Sequence, residues 1–231
     1  GNDDSLMAEV IEAMTTNETF FFRDTWPFDT LRDTVLPRLM ANRTRTKPIR
    51  IWCAAASTGQ EPYTIAMILN EDKHQRNGWR FEITATDISS ESLNRAREGR
   101  YTQFEVQRGL PLPLLVKYFK KTGDFWFIDP SIKAMVQFRE FNLLDDFKPL
   151  GLFDIVFCRN VLIYFDTPTK ADILARIRSR MMNDGALFLG GSETVIGITE
   201  SFEIIPRLRG VYAAAEARGP AETAQERRAG L

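Results

Sequence analysis

Short apolar runs rich in branched and aromatic residues recur along the chain, separated by helical segments. They are "PIRIWCAAA", "WRFEITATD", "MVQFREFN", "FDIVFCRN" and "ALFLGGSE". Near-continuous apolar runs, rather than alternation of apolar and polar residues, mark strands buried on both faces of a parallel sheet. Between them lie helical signals. Pro62 suits a first helical turn, and Ser89 and Gly99 read as N-cap and stop of "SSESLNRAREG". In "TPTKADILARIRSRMMNDG", Thr167 is the expected N-cap, Pro168 the first position and Gly185 the residue past the end. Strand–helix alternation of this kind predicts an α/β doubly wound sheet.

The alternation has a lead-in, an interruption and a tail. Leu6, Met7, Val10, Ile11 and Met14 have helical spacing and predict a short helix within residues 1–16. A second helix spans "FDTLRDTVLPRLMANRT", with Leu31, Val35, Leu36 and Leu39 as its stripe and Pro37 as a kink. Residues 101–134 break the pattern and read as a small insertion containing an antiparallel hairpin: a helix in "LPLPLLVKYFKK", two strand-like runs in "TGDFWFIDPSIKAMVQFREFN" joined through Asp129-Pro130, and a tight turn at Thr122-Gly123-Asp124. Two short strands are expected to flank Pro206 to Gly210, and residues 216–231 are expected to form a loose tail or a linker. The main unit is expected over residues 17–215.

Composition excludes several function classes. The 231 residues carry 30 basic and 31 acidic side chains, a net charge of −1, so nothing in bulk draws the chain to nucleic acid or acidic lipid. Cys53 and Cys158 lie inside apolar runs and His74 stands alone in a polar stretch, which argues against a disulfide framework or a Cys/His metal site. No apolar run is long enough to span a bilayer and the first residues lack a signal pattern. A cytoplasmic monomer is expected.

In open α/β sheets, ligands bind beyond the carboxyl ends of the strands, where strand order reverses. The residues there are Ala55 within "AAASTGQE", Asp87, Asn142 with Leu143, and Arg159, Asn160 and Tyr164. Asp87 is placed to hold a ribose diol or to cap the next helix. Asn142–Leu143 is a polar–apolar pair suited to an adenine. The first loop holds one glycine and no GxGxxG, which disfavours a pyrophosphate ligand and favours a phosphate-free one, such as an adenosine joined to an amino acid. By themselves, Arg23 after three phenylalanines reads as cover for an apolar patch, and Tyr164 as a core residue with its hydroxyl at the rim.

Taken together, "TTNETFFFRD", "RIWCAAASTGQEPYTIAM", "ATDISSESLNRAREGRY", "FNLLDD" and "FDIVFCRNVLIYF", in that order, resemble the chemotaxis receptor methyltransferase (CheR) family from about Thr15 to Ala215. The resemblance implies a class I methyltransferase sheet of order 3-2-1-4-5-7-6, its last strand antiparallel. S-adenosylmethionine would be the donor, S-adenosylhomocysteine the product, and glutamate side chains on the cytoplasmic domain of chemotaxis receptors the acceptors. It implies that Asn17, Thr19 and Arg23 face the reactive end of the cofactor. Glu61 would hold the methionine portion, Asp87 the ribose, and Asn142 with Leu143 the adenine. Ala55, Arg159 and Asn160 would complete the cofactor pocket. Arg23 and Tyr164 are the expected catalytic positioners, since a glutamate (pKa ~4.3) is already ionised at neutral pH and needs no general base. Two departures stand out. Only one short helix precedes "NETFFFRD", where the family has a helical receptor-docking domain, and the short hairpin turn favours an enzyme independent of the receptors' C-terminal pentapeptide. A binding module without turnover, or a methyltransferase for another acceptor, are the alternatives.

Overall fold

The structure is a computed structural model in which residues 18–215, apart from 75 and 77, are described. The expected lead-in helix, Asn17 and the tail lie outside these residues. The chain enters through α1 (Trp26–Thr30), a π turn (Leu31–Val35) and α2 (Leu36–Asn42). Pro37 does not break this helix, because it follows the widened turn. The Leu36 N–H reaches back five residues to the Leu31 carbonyl, and the extra residue absorbs the proline ring within a continuous buried stripe of Leu31, Val35, Leu36 and Leu39.

The core sheet is built from β1 (Ile49–Ala54), β2 (Phe81–Asp87), β6 (Val136–Glu140), β7 (Phe153–Cys158), β8 (Met181–Leu189), β9 (Phe202–Ile204) and β10 (Val211–Ala214). Its order is β6-β2-β1-β7-β8-β10-β9, and β10 runs antiparallel to both of its neighbours. Counted along the sheet strands alone, this is 3-2-1-4-5-7-6, the class I methyltransferase arrangement. Helices α3 (Gln60–Glu71), α4 (Ser90–Glu98) and α8 (Thr167–Ser179) connect the parallel strands. Strand pleating sends neighbours to opposite faces. Ile51 and Cys53 of β1 join one buried cluster with Phe21, Phe28, Tyr63 and Phe188, while Trp52 and Ala54 join another with Val156, Leu174 and Leu187. The Trp52 indole N–H, buried in this core, donates to Thr86 Oγ1 at 2.9 Å.

The interruption is a separate three-stranded antiparallel sheet, order β3-β5-β4, made of β3 (Arg100–Thr102), β4 (Phe119–Thr122) and β5 (Phe125–Ile128). The turn at Gly123, with φ +59°, and the helix α6 (Leu112–Tyr118) lie where the sequence places them, but "FKK" belongs to β4, and Asp129-Pro130 opens a helical turn instead of joining two paired strands, because Val136–Glu140 pairs with β2 in the main sheet. The third strand, α5 (Gln103–Gln107) and the single turn α7 (Pro130–Lys133) were not legible in the sequence. A capping box at α5, Thr102 with Glu105, is the signal that marks its start.

One helix boundary needs correction. α8 is capped by Asp166, whose Oδ1 accepts the Thr169 N–H at 2.9 Å, so Thr167 is its first residue rather than its cap. It ends at Ser179, and "MMNDG" begins β8 instead of finishing the helix. Met181 pairs with Phe153 beside β7, and a bulge follows. Gly185 lies in that strand, where a Cβ would stand 2.6 Å from the Asp154 carbonyl oxygen, so the position calls for glycine. Helical periodicity carried through the methionines locally, but strand pairing decided them.

Phe21 ties the leading segment to the insertion. It is fully buried, edge-on to Tyr101 and Phe119, and its carbonyl oxygen lies 2.1 Å from where a Cβ on Gly109 would be. Gly109 also has φ +83°. Gly109→Ala is therefore expected to destabilise the protein by about 1–3 kcal/mol, because backbone cannot yield as a side chain would. Urea unfolding should show a lower midpoint at unchanged slope.

Candidate active site

The crevice opens at the carboxyl ends of β1, β2, β6 and β7, on either side of the point where strand order reverses around β1. Its volume is about 840 Å³, within the range for small-molecule sites. Of the expected residues, Thr19, Arg23, Ala55, Glu61, Asp87, Asn142, Leu143, Arg159, Asn160 and Tyr164 all line it. Every expected residue within the described part of the chain thus comes together in one cavity; Asn17 lies outside the described residues.

The loop after β1 is shaped by backbone geometry. Ala55 and Ser57 adopt left-handed φ of 56° and 50°, and Gly59 has φ +92° where α3 begins. A Cβ on Gly59 would sit 3.0 Å from Ala96 Cβ, so glycine permits both the turn and the packing. The loop is held against β2 by Asp87, which is buried. Its Oδ2 accepts the Ser57 N–H at 2.7 Å and its Oδ1 the Ser89 N–H at 2.9 Å. Ser89, not Asp87, caps α4 by accepting the Ser92 N–H. The capping alternative for Asp87 is therefore set aside, and its carboxylate faces the crevice from the end of β2. Ser57 Oγ is buried beside it without a hydrogen-bond partner among the described residues.

Beyond β6, Asn142 folds into a local turn in which its Oδ1 accepts the Leu144 N–H at 2.9 Å, and Leu143 and Phe141 supply an apolar ledge. Beyond β7, Arg159 has a side chain only 1% exposed. It donates to Glu61 at 2.8 Å, to Asp24 at 2.8 Å and to the Arg23 carbonyl at 3.0 Å. Burial pushes the Glu61 carboxyl up from its usual range, with the Arg159 guanidinium pulling the other way. Arg23 is half-buried; it donates to the Glu18 carbonyl and lies over the Phe20 ring. Of the three phenylalanines, Phe21 is core, Phe22 packs against it, and Phe20 sits beneath Arg23 and Arg108. Tyr164 is 58% exposed in a 3₁₀ turn at the mouth, so it is a rim residue and not a core one.

Sequence reasoning missed several participants. Ser57, Ile88, Phe141 and Ile163 line the crevice, and Asp24 and Glu193 hold its walls. Ser57 was visible as part of the small-residue loop. Glu193 had no local signal beyond "GGSE" after a strand.

Removing the guanidinium tests how the walls are held. Arg159→Ala leaves the half-buried Glu61 carboxylate without its cation and should cost about 3 kcal/mol. The pH dependence has a fixed sign. Without Arg159 the Glu61 pKa rises further, so in the window above the ordinary glutamate value the folded state holds a proton that the unfolded state has lost. Stability then falls as pH rises through that window. Urea midpoints across the acid range should show the gap to wild type widest near neutrality and smaller below the ordinary glutamate pKa.

Comparison with known proteins agrees with this architecture. The family profile described as "CheR methyltransferase, SAM binding domain" matches residues 17–211. Chemotaxis protein methyltransferase Cher2 of Pseudomonas putida is 44% identical over 204 residues, 87% of this chain and 74% of that protein. The chemotaxis protein methyltransferase of Vibrio parahaemolyticus is 42% identical over 89% of this chain and 74% of its own. Chemotaxis protein methyltransferase 1 of Pseudomonas aeruginosa is 43% identical over 85% and 73%. This chain spans about three quarters of each. Among the described residues no helix is long and apolar enough to cross a membrane. The sheet order, the crevice at its carboxyl edge and these relatives converge: the chain belongs to the CheR methyltransferase family and is an S-adenosylmethionine-dependent chemotaxis protein methyltransferase.

Proposed function

We propose that this chain forms methyl esters on glutamate side chains in the cytoplasmic domain of chemotaxis receptors. The observation that carries the reading is the polarity of the crevice: buried Asp87 in its depth, exposed Tyr164 and half-buried Arg23 at its mouth. The names of the relatives, chemotaxis protein methyltransferases, point the same way. In this reading residues 17–215 form one catalytic unit, with residues 101–134 as its insertion, acting in the cytoplasm.

The donor set fits S-adenosylmethionine. Asp87 offers a carboxylate for a ribose diol, Leu143 and Phe141 an apolar ledge for adenine, and Glu61 a negative group for an amino-acid ammonium. Thr19, Ala55, Asn142, Arg159 and Asn160 complete the enclosure. When bound, the cofactor supplies a methyl group already activated on a sulfonium.

What the chain contributes is placement. The acceptor carboxylate is ionised at neutral pH and needs no proton removed. Alignment of a nucleophile with its target supplies roughly 7–11 kcal/mol in well-ordered systems, and enclosure strips water from the carboxylate. The Tyr164 hydroxyl donates a hydrogen bond to one acceptor oxygen and leaves the other free to attack. Arg23, at the same mouth, holds a carboxylate in register. Over-binding the acceptor carboxylate would slow the step, because only interactions that strengthen toward the transition state accelerate it.

The product decides the reaction class. Labelled methyl groups transferred to receptor membranes should be released as methanol in mild base; a base-stable label would exclude carboxyl esters. Asp87→Ala should weaken S-adenosylhomocysteine binding by about 1.5–3 kcal/mol, roughly 10- to 150-fold, and unchanged affinity by calorimetry would refute the ribose assignment. Tyr164→Phe should lower kcat while leaving cofactor affinity near wild type; equal losses in both would count against an acceptor role.

A further inference from the structure

The residue that shapes the β7 side of the crevice does not line it. Glu193 follows β8 in a turn closed by its own N–H to the Gly190 carbonyl at 2.9 Å. Its side chain reaches back beneath the end of β7. Oε2 accepts the N–H of Asn160 at 2.7 Å and of Gly190 at 2.7 Å. Oε1 accepts the N–H of Val161 at 3.0 Å and of Leu162 at 2.8 Å. Glu193 is 9% exposed, and these four backbone donors match the accepting capacity of a carboxylate.

Three successive amides that turn toward one point form a nest for an anion. Here the anion is built in. Asn160 stands at φ 59°, a left-handed conformation that a side-chain-bearing residue keeps only when its surroundings hold it there. Gly190 completes the lock: a Cβ on it would lie 2.8 Å from both Asn160 Nδ2 and Glu193 Oε2, so only a glycine lets the three groups meet. The segment held this way contains Asn160, Val161, Ile163, Tyr164 and Phe165, all of which line the crevice. The segment and the carboxylate lie 28 or more positions apart in the chain, so the end of one strand is set by the turn after the next.

We propose that Glu193 is a positioning residue for methyl transfer, its carboxylate fixing the Asn160 backbone and the turn that presents Tyr164. The inference rests on the assignment of Asn160 to the cofactor and Tyr164 to the acceptor. Glu193→Gln is the direct variant. Whichever carboxylate oxygen becomes the amide nitrogen then faces two N–H donors, so two of the four bonds are lost whichever way the amide turns.

Leu174→Ala serves as the control. Leu174 is fully buried in α8, in the same apolar cluster as Leu162, but does not line the crevice, so its truncation lowers stability with the Glu193 carboxylate and its backbone donors retained. Both variants should unfold at lower urea concentration. Only Glu193→Gln should speed amide hydrogen exchange at Asn160, Val161 and Leu162 in the ligand-free protein by tenfold or more relative to β1, and weaken S-adenosylhomocysteine binding by tenfold or more. Wild-type affinity in folded Glu193→Gln, or the same modest change as in Leu174→Ala, would overturn the proposal. Should Glu193→Gln fail to fold, Gly190→Ala displaces the same contact with the carboxylate retained, and unchanged affinity there would overturn it equally. These readouts need no acceptor, so a wild-type protein that failed to esterify receptors would sink the proposed reaction without deciding the role of Glu193.

Discussion

A single buried guanidinium holds the crevice together. Arg159 extends from the end of β7 and binds Glu61 at the start of α3, Asp24 in the leading segment and the Arg23 carbonyl beside it. Three parts of the chain that are distant in sequence meet on one side chain. An arginine suits this task better than a lysine, since its planar fork offers several donors in fixed directions and remains charged when buried. Burial raises the Glu61 carboxyl above its usual range, and the Arg159 guanidinium opposes that rise by pairing with it. A wall built from a charge network is costly to assemble and specific once assembled, because every member needs the others.

The second constraint is backbone strain, and its location is informative. Among the described residues, left-handed φ values at non-glycine positions occur at Phe22, Asp24, Thr25, Ala55, Ser57 and Asn160, with Arg207 the exception elsewhere. The first six lie in the leading segment and in the loops after β1 and β7, three of the pieces of chain that converge on the crevice. Such conformations cost of order 1–3 kcal/mol each and persist where the surroundings over-determine them. Asp87 and Glu193 act as those surroundings, each binding backbone N–H groups of a strained loop. The acids near the site therefore divide into those that brace backbone and those that face ligand, and Asp87 does both.

The insertion connects to the same centre through aromatic packing. Tyr101 donates its hydroxyl to the Thr58 carbonyl at 2.8 Å in the loop after β1, and it packs edge-on to Phe21. Tyr63 donates to the Ala96 carbonyl at 2.7 Å across the helices that flank Gly59. The small sheet is thus an extension of the crevice's foundation, reached by buried hydroxyls whose hydrogen bonds are satisfied.

The sequence by itself determined the strand–helix alternation, the caps at Ser89 and Gly99, the hairpin turn at Gly123 and the set of residues at the strand ends. Each of these is a local property, fixed by side-chain periodicity or by one residue's conformational freedom. The resemblance carried by the ordered motifs supplied the strand order. Only the tertiary structure decided that Met181 to Gly185 pair as a strand, that Tyr164 stands at the rim, and that Arg159 and Glu193 are the residues holding the walls. Those outcomes depend on partners far away in the chain: Phe153 for Met181, Asp24 for Arg159, Asn160 for Glu193. A hydrogen bond or strand pairing between distant segments leaves no periodic trace in either of them, which is why no reading of the sequence alone reached it.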